Sequence, residues 1–261
     1  MGSLQAQDLP LSGKVAIVTG ASRGIGVGIA LQLAKSGASI AITYTSAKST
    51  PAAEDVAQRI RSLNNGARAM TVRGDLRDPS TPAAIVSAVL DALGPHIDIL
   101  VNNAGLEVVY PIAELPVSAW DDGIAVNLRA PMLMTQAVLP HLRAPGRIIN
   151  VSSVGARVGF EAMATYLASK AGLEGLTRGL AAELGPAGGH TVNAVEPGPV
   201  ESDMLDELPQ DLIQWQKNRT PIGHRVGTVE DIGDVVVWLA EERSRWITGQ
   251  SISASGGFLM N

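Results

Sequence analysis

Short apolar runs rich in β-branched residues alternate with helix-length amphipathic stretches along the whole chain, and few folds accommodate that alternation. Residues 14–19 (KVAIVT), between Gly13 and Gly20, predict a strand buried on both faces. Residues 25–34 have helical apolar spacing and stop near Gly37. A strand is expected at 39–44, a helix at 52–63 ended by Asn64-Asn65-Gly66, and a strand at 69–73. A helix at 82–93 ends at Gly94-Pro95, and a strand at 98–101 leads into Asn102-Asn103-Ala104-Gly105. The second half predicts a long helix from about 118 to 142, a strand at 147–151, a helix from about 162 to 184 and a strand at 191–195. A short helix, a helix near 230–240 and a strand at 251–254 complete the series. Strands separated by helices require right-handed crossovers, so the expected fold is a single α/β domain, a doubly wound parallel sheet with helices on both faces.

Composition narrows the chemistry. With 46% hydrophobic and 17% charged residues over 261 positions, the chain is neither disordered nor a polyelectrolyte. No cysteine is present, which removes disulfides, thiolate zinc sites and cysteine nucleophiles. The four histidines lie far apart in sequence, so no metal site is expected. A net charge of −5 argues against nucleic acid or a polybasic membrane patch as partner. Residues 1–10 hold no basic residue and no long apolar core, so a cytoplasmic location is expected. No linker or repeat interrupts the alternation. Residues 1–12 are read as an N-terminal extension and 13–261 as the domain, with a substrate lid at about 199–221.

The first strand runs into Thr19-Gly20-Ala21-Ser22-Arg23-Gly24-Ile25-Gly26, directly before a helix. Glycines at such a turn let backbone N–H groups approach a pyrophosphate at the positive helix end. The spacing is G-x-x-x-G-x-G, so the turn by itself is a weak signal. At the end of the second strand stands Thr43-Tyr44-Thr45-Ser46, and the next acid is Glu54. A preference for NAD usually places a carboxylate there for the ribose 2′-hydroxyl. Its absence, with the Arg23 cation beside the glycine turn, points to NADP(H).

Tyr166 and Lys170 stand at i and i+4, so a helix puts both on one face. A phenol with a reference pKa of about 10 is a poor acid–base group near neutrality, and an adjacent ammonium stabilises its anion. Tyr166 can then pass a proton to a carbonyl oxygen, and Ser153, just after a strand, can hydrogen-bond the same oxygen.

Taken together in order and spacing, Thr19-Gly20-x-x-x-Gly24-x-Gly26, Asp75, Asn102-Asn103-Ala104-Gly105, Asn127, Ser153, Tyr166-x-x-x-Lys170, Pro197-Gly198, Ile247-Thr248-Gly249-Gln250 and Gly256-Gly257 resemble the short-chain dehydrogenase/reductase family. Within it, residues 21–26 look like those of NADPH-dependent 3-oxoacyl carrier-protein reductases, and residues 43–45 are similar to fungal polyketide ketoreductases. The resemblance implies a Rossmann fold and, commonly, a homotetramer, with a dimer as the lesser assembly. By position it makes Tyr166 the proton donor, Lys170 the group that lowers its pKa and binds the nicotinamide ribose, and Ser153 the substrate-positioning serine. Ser152 is read as a structural neighbour, and Asn127 as holding a water that links Lys170 to solvent. Gly20, Ser22, Arg23, Gly24, Ile25, Gly26, Tyr44, Thr45 and Ser46 are expected around the adenosine phosphates. Asp75 and Leu76 would meet the adenine, and Asn103, Ala104 and Gly105 the ribose. Pro197, Gly198, Val200 and Ser202 would frame the carboxamide. Glu196 departs from the small or neutral residue usual before Pro197-Gly198; facing the pocket it would recognise a donor on the substrate, facing outward it would be a solvated loop acid, and the outward reading is favoured here.

The expected activity is reduction of a ketone on a hydrophobic substrate, an aromatic polyketide or 3-oxoacyl compound. Reduction coupled to dehydration, epimerisation or cyclisation, and a non-catalytic NADP-binding scaffold, are the alternatives. Selectivity is expected in residues 106–110, in 157–160, and in a lid carrying Met204, Leu205, Leu208, Leu212 and Trp215.

Overall fold

A computed structural model describes residues 9–202, 205 and 209–260, and Met204 and Leu208 of the expected lid lie outside them. The strands are β1 (Val15–Val18), β2 (Ser39–Tyr44), β3 (Ala69–Arg73), β4 (Ile97–Asn102), β5 (Leu142–Val151), β6 (Thr191–Pro197) and β7 (Ser251–Ala254). They pair in the order β3-β2-β1-β4-β5-β6-β7, and every pairing is parallel. In β1, β2, β4 and β6 every residue is buried, as central strands of a sheet covered on both faces require. Successive strands step one way from β1 through β2 to β3 and the other way from β4, which opens a crevice beyond the carboxyl ends of β1 and β4.

One face is covered by α1 (Gly24–Lys35), α2 (Thr50–Arg61) and α8 (Val229–Ala240), whose Ile29, Leu33, Val56, Ile60, Ile232 and Val236 pack together. The other is covered by α3 (Thr81–Leu93), α5 (Ala130–Val138) and α6 (Ala164–Gly188) through Val89, Met134, Val138 and Leu184. Among the described residues, α4 (Val117–Ile124) and α7 (Gln210–Arg219) lie outside these layers. Leu11, within the expected extension, is only 1% exposed and joins the first core, and its N–H donates to Ser36 O.

The expected helix from 118 to 142 is helical from Val117 to His141 but is not uniformly α. Between α4 and α5 the chain makes a π-helical turn over Ala125–Arg129, and after α5 a 3₁₀ turn over Leu139–His141 delivers it into β5, which begins at Leu142 rather than 147. Such a widened turn recurs at functional sites, and here it surrounds Asn127.

Candidate active site

The glycine turn follows from contacts that tolerate no side chain. Gly20 has φ +65°, and a Cβ on it would lie 2.9 Å from Ala104 Cα. A Cβ on Gly26 would stand 2.5 Å from Gly20 O and 2.6 Å from Asn103 Nδ2. Asn103 Nδ2 donates to Thr19 O and Gly20 O, and the N–H groups of Asn103 and Ala104 donate to Thr19 Oγ1. Gly20 N–H donates to Thr43 Oγ1 at 3.3 Å. The side chains of Thr19 and Asn103 therefore lock the β4 loop against the turn, a role that spacing did not reveal.

The residues present fit a dinucleotide phosphate. Helix α1 starts after Arg23 with no side-chain cap and no acid in its first turn, so its leading N–H groups and dipole face the crevice. Arg23, Thr45 and Ser46 are exposed there, as is Lys48, a second cation that sequence reasoning passed over although it lies two residues beyond Ser46. Tyr44 is placed differently: it is 8% exposed and its hydroxyl accepts from Thr50 Oγ1. Asp75 is held below the usual carboxylate range mainly by the side-chain hydrogen bonds of Arg77, whose Nε and Nη2 donate to it, and Leu76 is buried in the core. Val200 is buried, and Ser202 Oγ donates to Val200 O.

Ser153, Tyr166, Lys170 and Asn127 meet at the carboxyl edge of β4 and β5. Ser153 caps a 3₁₀ turn, its Oγ accepting from Gly155 N–H at 3.0 Å. A Cβ on Gly155 would stand 3.2 Å from Ser153 Oγ and 3.6 Å from Tyr166 Cε1, so the two side chains flank one point. Lys170 is 3% exposed and its Nζ donates to Val151 O at 2.8 Å, 5.7 Å from the Tyr166 ring centre. A Cβ on Gly105 would lie 3.6 Å from Lys170 Nζ and 3.7 Å from Asn127 Oδ1. Asn127 is fully buried: Oδ1 accepts from Leu106 N–H, while Nδ2 donates to Leu106 O and Ser169 Oγ. Ser169, whose Oγ donates to Tyr166 O, thus ties Asn127 to the face of α6 that carries Tyr166 and Lys170. It was legible only as a small residue beside Lys170.

Burial pushes the Tyr166 phenol up, with the Ser153 side chain opposing and Glu107 reinforcing the shift. Burial brings Lys170 down to about 8. Ser152 matches its reading as a neighbour: buried, its Oγ donates to Glu174 Oε1 and Lys170 O. The outward reading of Glu196 is overturned. Its side chain is fully buried, 3.1 Å from Arg157 Nη2, because the β6 alternation points residues 192, 194 and 196 toward α6.

A glycine turn at the switch point of a parallel sheet, with a phenol and an ammonium on one helix face beside it, defines a dinucleotide-dependent oxidoreductase. Residues 20–259 match the family described as enoyl-(acyl carrier protein) reductase. Dehydrogenase OXI1 of Cochliobolus heterostrophus is 43% identical over 226 residues, covering 85% of this chain and 97% of that protein. The 3-oxoacyl-[acyl-carrier-protein] reductase FabG of Staphylococcus aureus is 39% identical over 95% of this chain and 98% of its own. A Burkholderia cenocepacia short chain dehydrogenase solved in complex with NADP superposes with a TM-score of 0.88 at 39% identity, covering 95% of this chain and 99% of that one. A blue fluorescent protein from a metagenomic library, in complex with NADPH, superposes with a TM-score of 0.89 at 38% identity, covering 96% and 100%. The chain belongs to the short-chain dehydrogenase/reductase family.

Proposed function

We propose that the protein reduces a ketone on a hydrophobic substrate to a secondary alcohol with NADPH, in the biosynthesis of an aromatic polyketide or 3-oxoacyl compound. The observation that carries this reading is the convergence of Ser153 and Tyr166 at Gly155 beside buried Lys170. When bound, the nicotinamide supplies the hydride. Burial keeps the phenol of Tyr166 protonated at neutral pH, as a donor to the carbonyl oxygen must be. Ser153 Oγ hydrogen-bonds the same oxygen, and the Lys170 ammonium favours the phenolate left on Tyr166. The Asn127 side chain is committed to Leu106 and Ser169, which ties the loop after β4 to α6 beside Lys170.

The exposed cations and hydroxyls of Arg23, Thr45, Ser46 and Lys48 support NADPH, as do the NADP and NADPH complexes of the two structural relatives. The hydrophobic substrate is supported by Leu106, Val109 and Tyr110, all exposed on the loop after Gly105, and by Leu212 and Trp215 on α7. Trp215 meets Phe258 edge to face at 6.0 Å, which seats α7 on the C-terminal tail. The test is NADPH oxidation across 3-oxoacyl thioesters, hydroxynaphthalenones and aliphatic ketones, with Tyr166→Phe as control. The variant is expected to bind NADPH like wild type while turnover drops by about 10²-fold or more; normal turnover would remove Tyr166 from the mechanism.

A further inference from the structure

Glu174 stands one helical turn beyond Lys170 and two beyond Tyr166, on the same face of α6. Its Oε1 accepts from Ser152 Oγ and its Oε2 from Arg157 Nε at 2.8 Å. Arg157 follows the Ser153 turn, and its Nη2 reaches Glu196 Oε1 on β6 at 3.1 Å. The Nε and Nη2 of a guanidinium form one edge, which ordinarily grips both oxygens of a single carboxylate. Here that edge is divided between two carboxyl groups, which brings their oxygens together. Neither Glu196 oxygen receives an aligned hydrogen bond from any donor with a fixed hydrogen, although the side chain is fully buried. One partly exposed cation faces two buried acids, and a proton on Glu196 would supply the missing donor between them.

We propose that Glu174 and Glu196 share one proton and, with Arg157, form a positioning unit that holds the Ser153 turn against the helix bearing Tyr166 and Lys170, a hold that weakens when the proton leaves to solvent. This rests on the catalytic reading of those three residues. Burial first, then the neighbouring Glu174, raises Glu196 above the usual carboxylate range, and Arg157 opposes them. On the other elements packed against this end of β6, β7 brings Ser253 opposite Glu196, and Arg147 of β5 lies toward the far end, paired with Glu242. Lys170, a turn away on α6, is engaged with Val151 O.

The test compares wild type, Glu196→Gln and Glu196→Ala in thermal melts from pH 5 to 9 and in NADPH-dependent turnover. The folded state holds the Glu196 proton more tightly than the unfolded chain, so wild type loses stability as pH rises from about 4.3 toward the raised value. Glutamine has no proton to lose and can donate to Glu174. Glu196→Gln should therefore match wild type near pH 5 and melt roughly 3–5 °C above it at pH 9. Glu196→Ala should lose about 10-fold in kcat with NADPH affinity unchanged, a loss that Glu196→Gln restores. A constant offset between Glu196→Gln and wild type across the pH range, or equal impairment of the two variants, would overturn the proposal. Wild type that reduced no ketone would overturn the catalytic reading instead, while the melts would still decide whether the proton is shared.

Discussion

Lys170 serves two ends that pull its ionisation in opposite directions. In the proposed mechanism its charge supports the Tyr166 phenolate, yet burial lowers its pKa to about 8. Reductive turnover should therefore fall as pH passes about 8, read from a pH–rate profile at saturating cofactor. Stability moves the other way in that window. Between about 8 and the ordinary lysine value of about 10.4, the unfolded chain holds a proton that the native state lacks, so this group's contribution to stability rises with pH. The two trends cross in one titration and separate catalysis from unfolding. At the adenosine end, Arg23 and the Thr45 and Ser46 hydroxyls should make NADPH bind more tightly than NADH by about 1–3 kcal/mol. Arg23→Ala should weaken NADPH far more than NADH in a fluorescence titration, and equal losses would rule out a phosphate contact.

Among the elements, the π turn over Ala125–Arg129 is the one whose sequence misleads. The stretch has unbroken helical spacing, so local pattern alone predicts a straight helix. The turn widens because Asn127 bonds both backbone groups of Leu106, which lies on the β4 loop, and Ser169 on α6. Asn127→Leu would leave the Leu106 N–H and C=O without their side-chain partner at the edge of the core. The expected cost is about 2–4 kcal/mol in urea unfolding, with lowered turnover because Leu106 and Ser169 border the catalytic face. A fully stable Asn127→Leu protein would show that the turn is held by something else. By contrast, α8 was legible from local chemistry: Thr228 and Asp231 close a reciprocal capping box at its start, and a run of apolar residues follows.

At the scale of the whole molecule, the helices that cover the sheet bury some of their long apolar side chains and leave others at the surface. Met134, Val138 and Leu173 belong to the core, whereas Val117 and Trp120 on α4 and Met132 on α5 remain exposed at 75%, 39% and 38%. These three are the surface on which we expect self-association, a homotetramer or at least a dimer. Trp120→Glu should shift light scattering at micromolar concentration toward a smaller species. A wild-type protein that was fully active as a monomer would refute the assembly.

The order of strands and helices and the Tyr166–Lys170 face were determined by the sequence itself, because each rests on contacts within a few residues or on a periodicity that survives in any environment; the glycine turn was legible from its glycines, although Asn103 and Ala104 of the β4 loop hold it. Residues 39–44, 69–73 and 251–254 form strands at the expected bounds for that reason. Tertiary structure alone decided the fate of Glu196, the widened turn around Asn127 and the direction of the Tyr166 shift. Each depends on partners from distant segments and on the water that their packing excludes: Arg157 and Glu174 for the acid, Leu106 and Ser169 for the amide, and burial against Ser153 and Glu107 for the phenol. A carboxylate before Pro197 reads as solvated until the sheet parity and α6 close over it, since burial and charge pairing belong to the assembled fold and leave no local pattern.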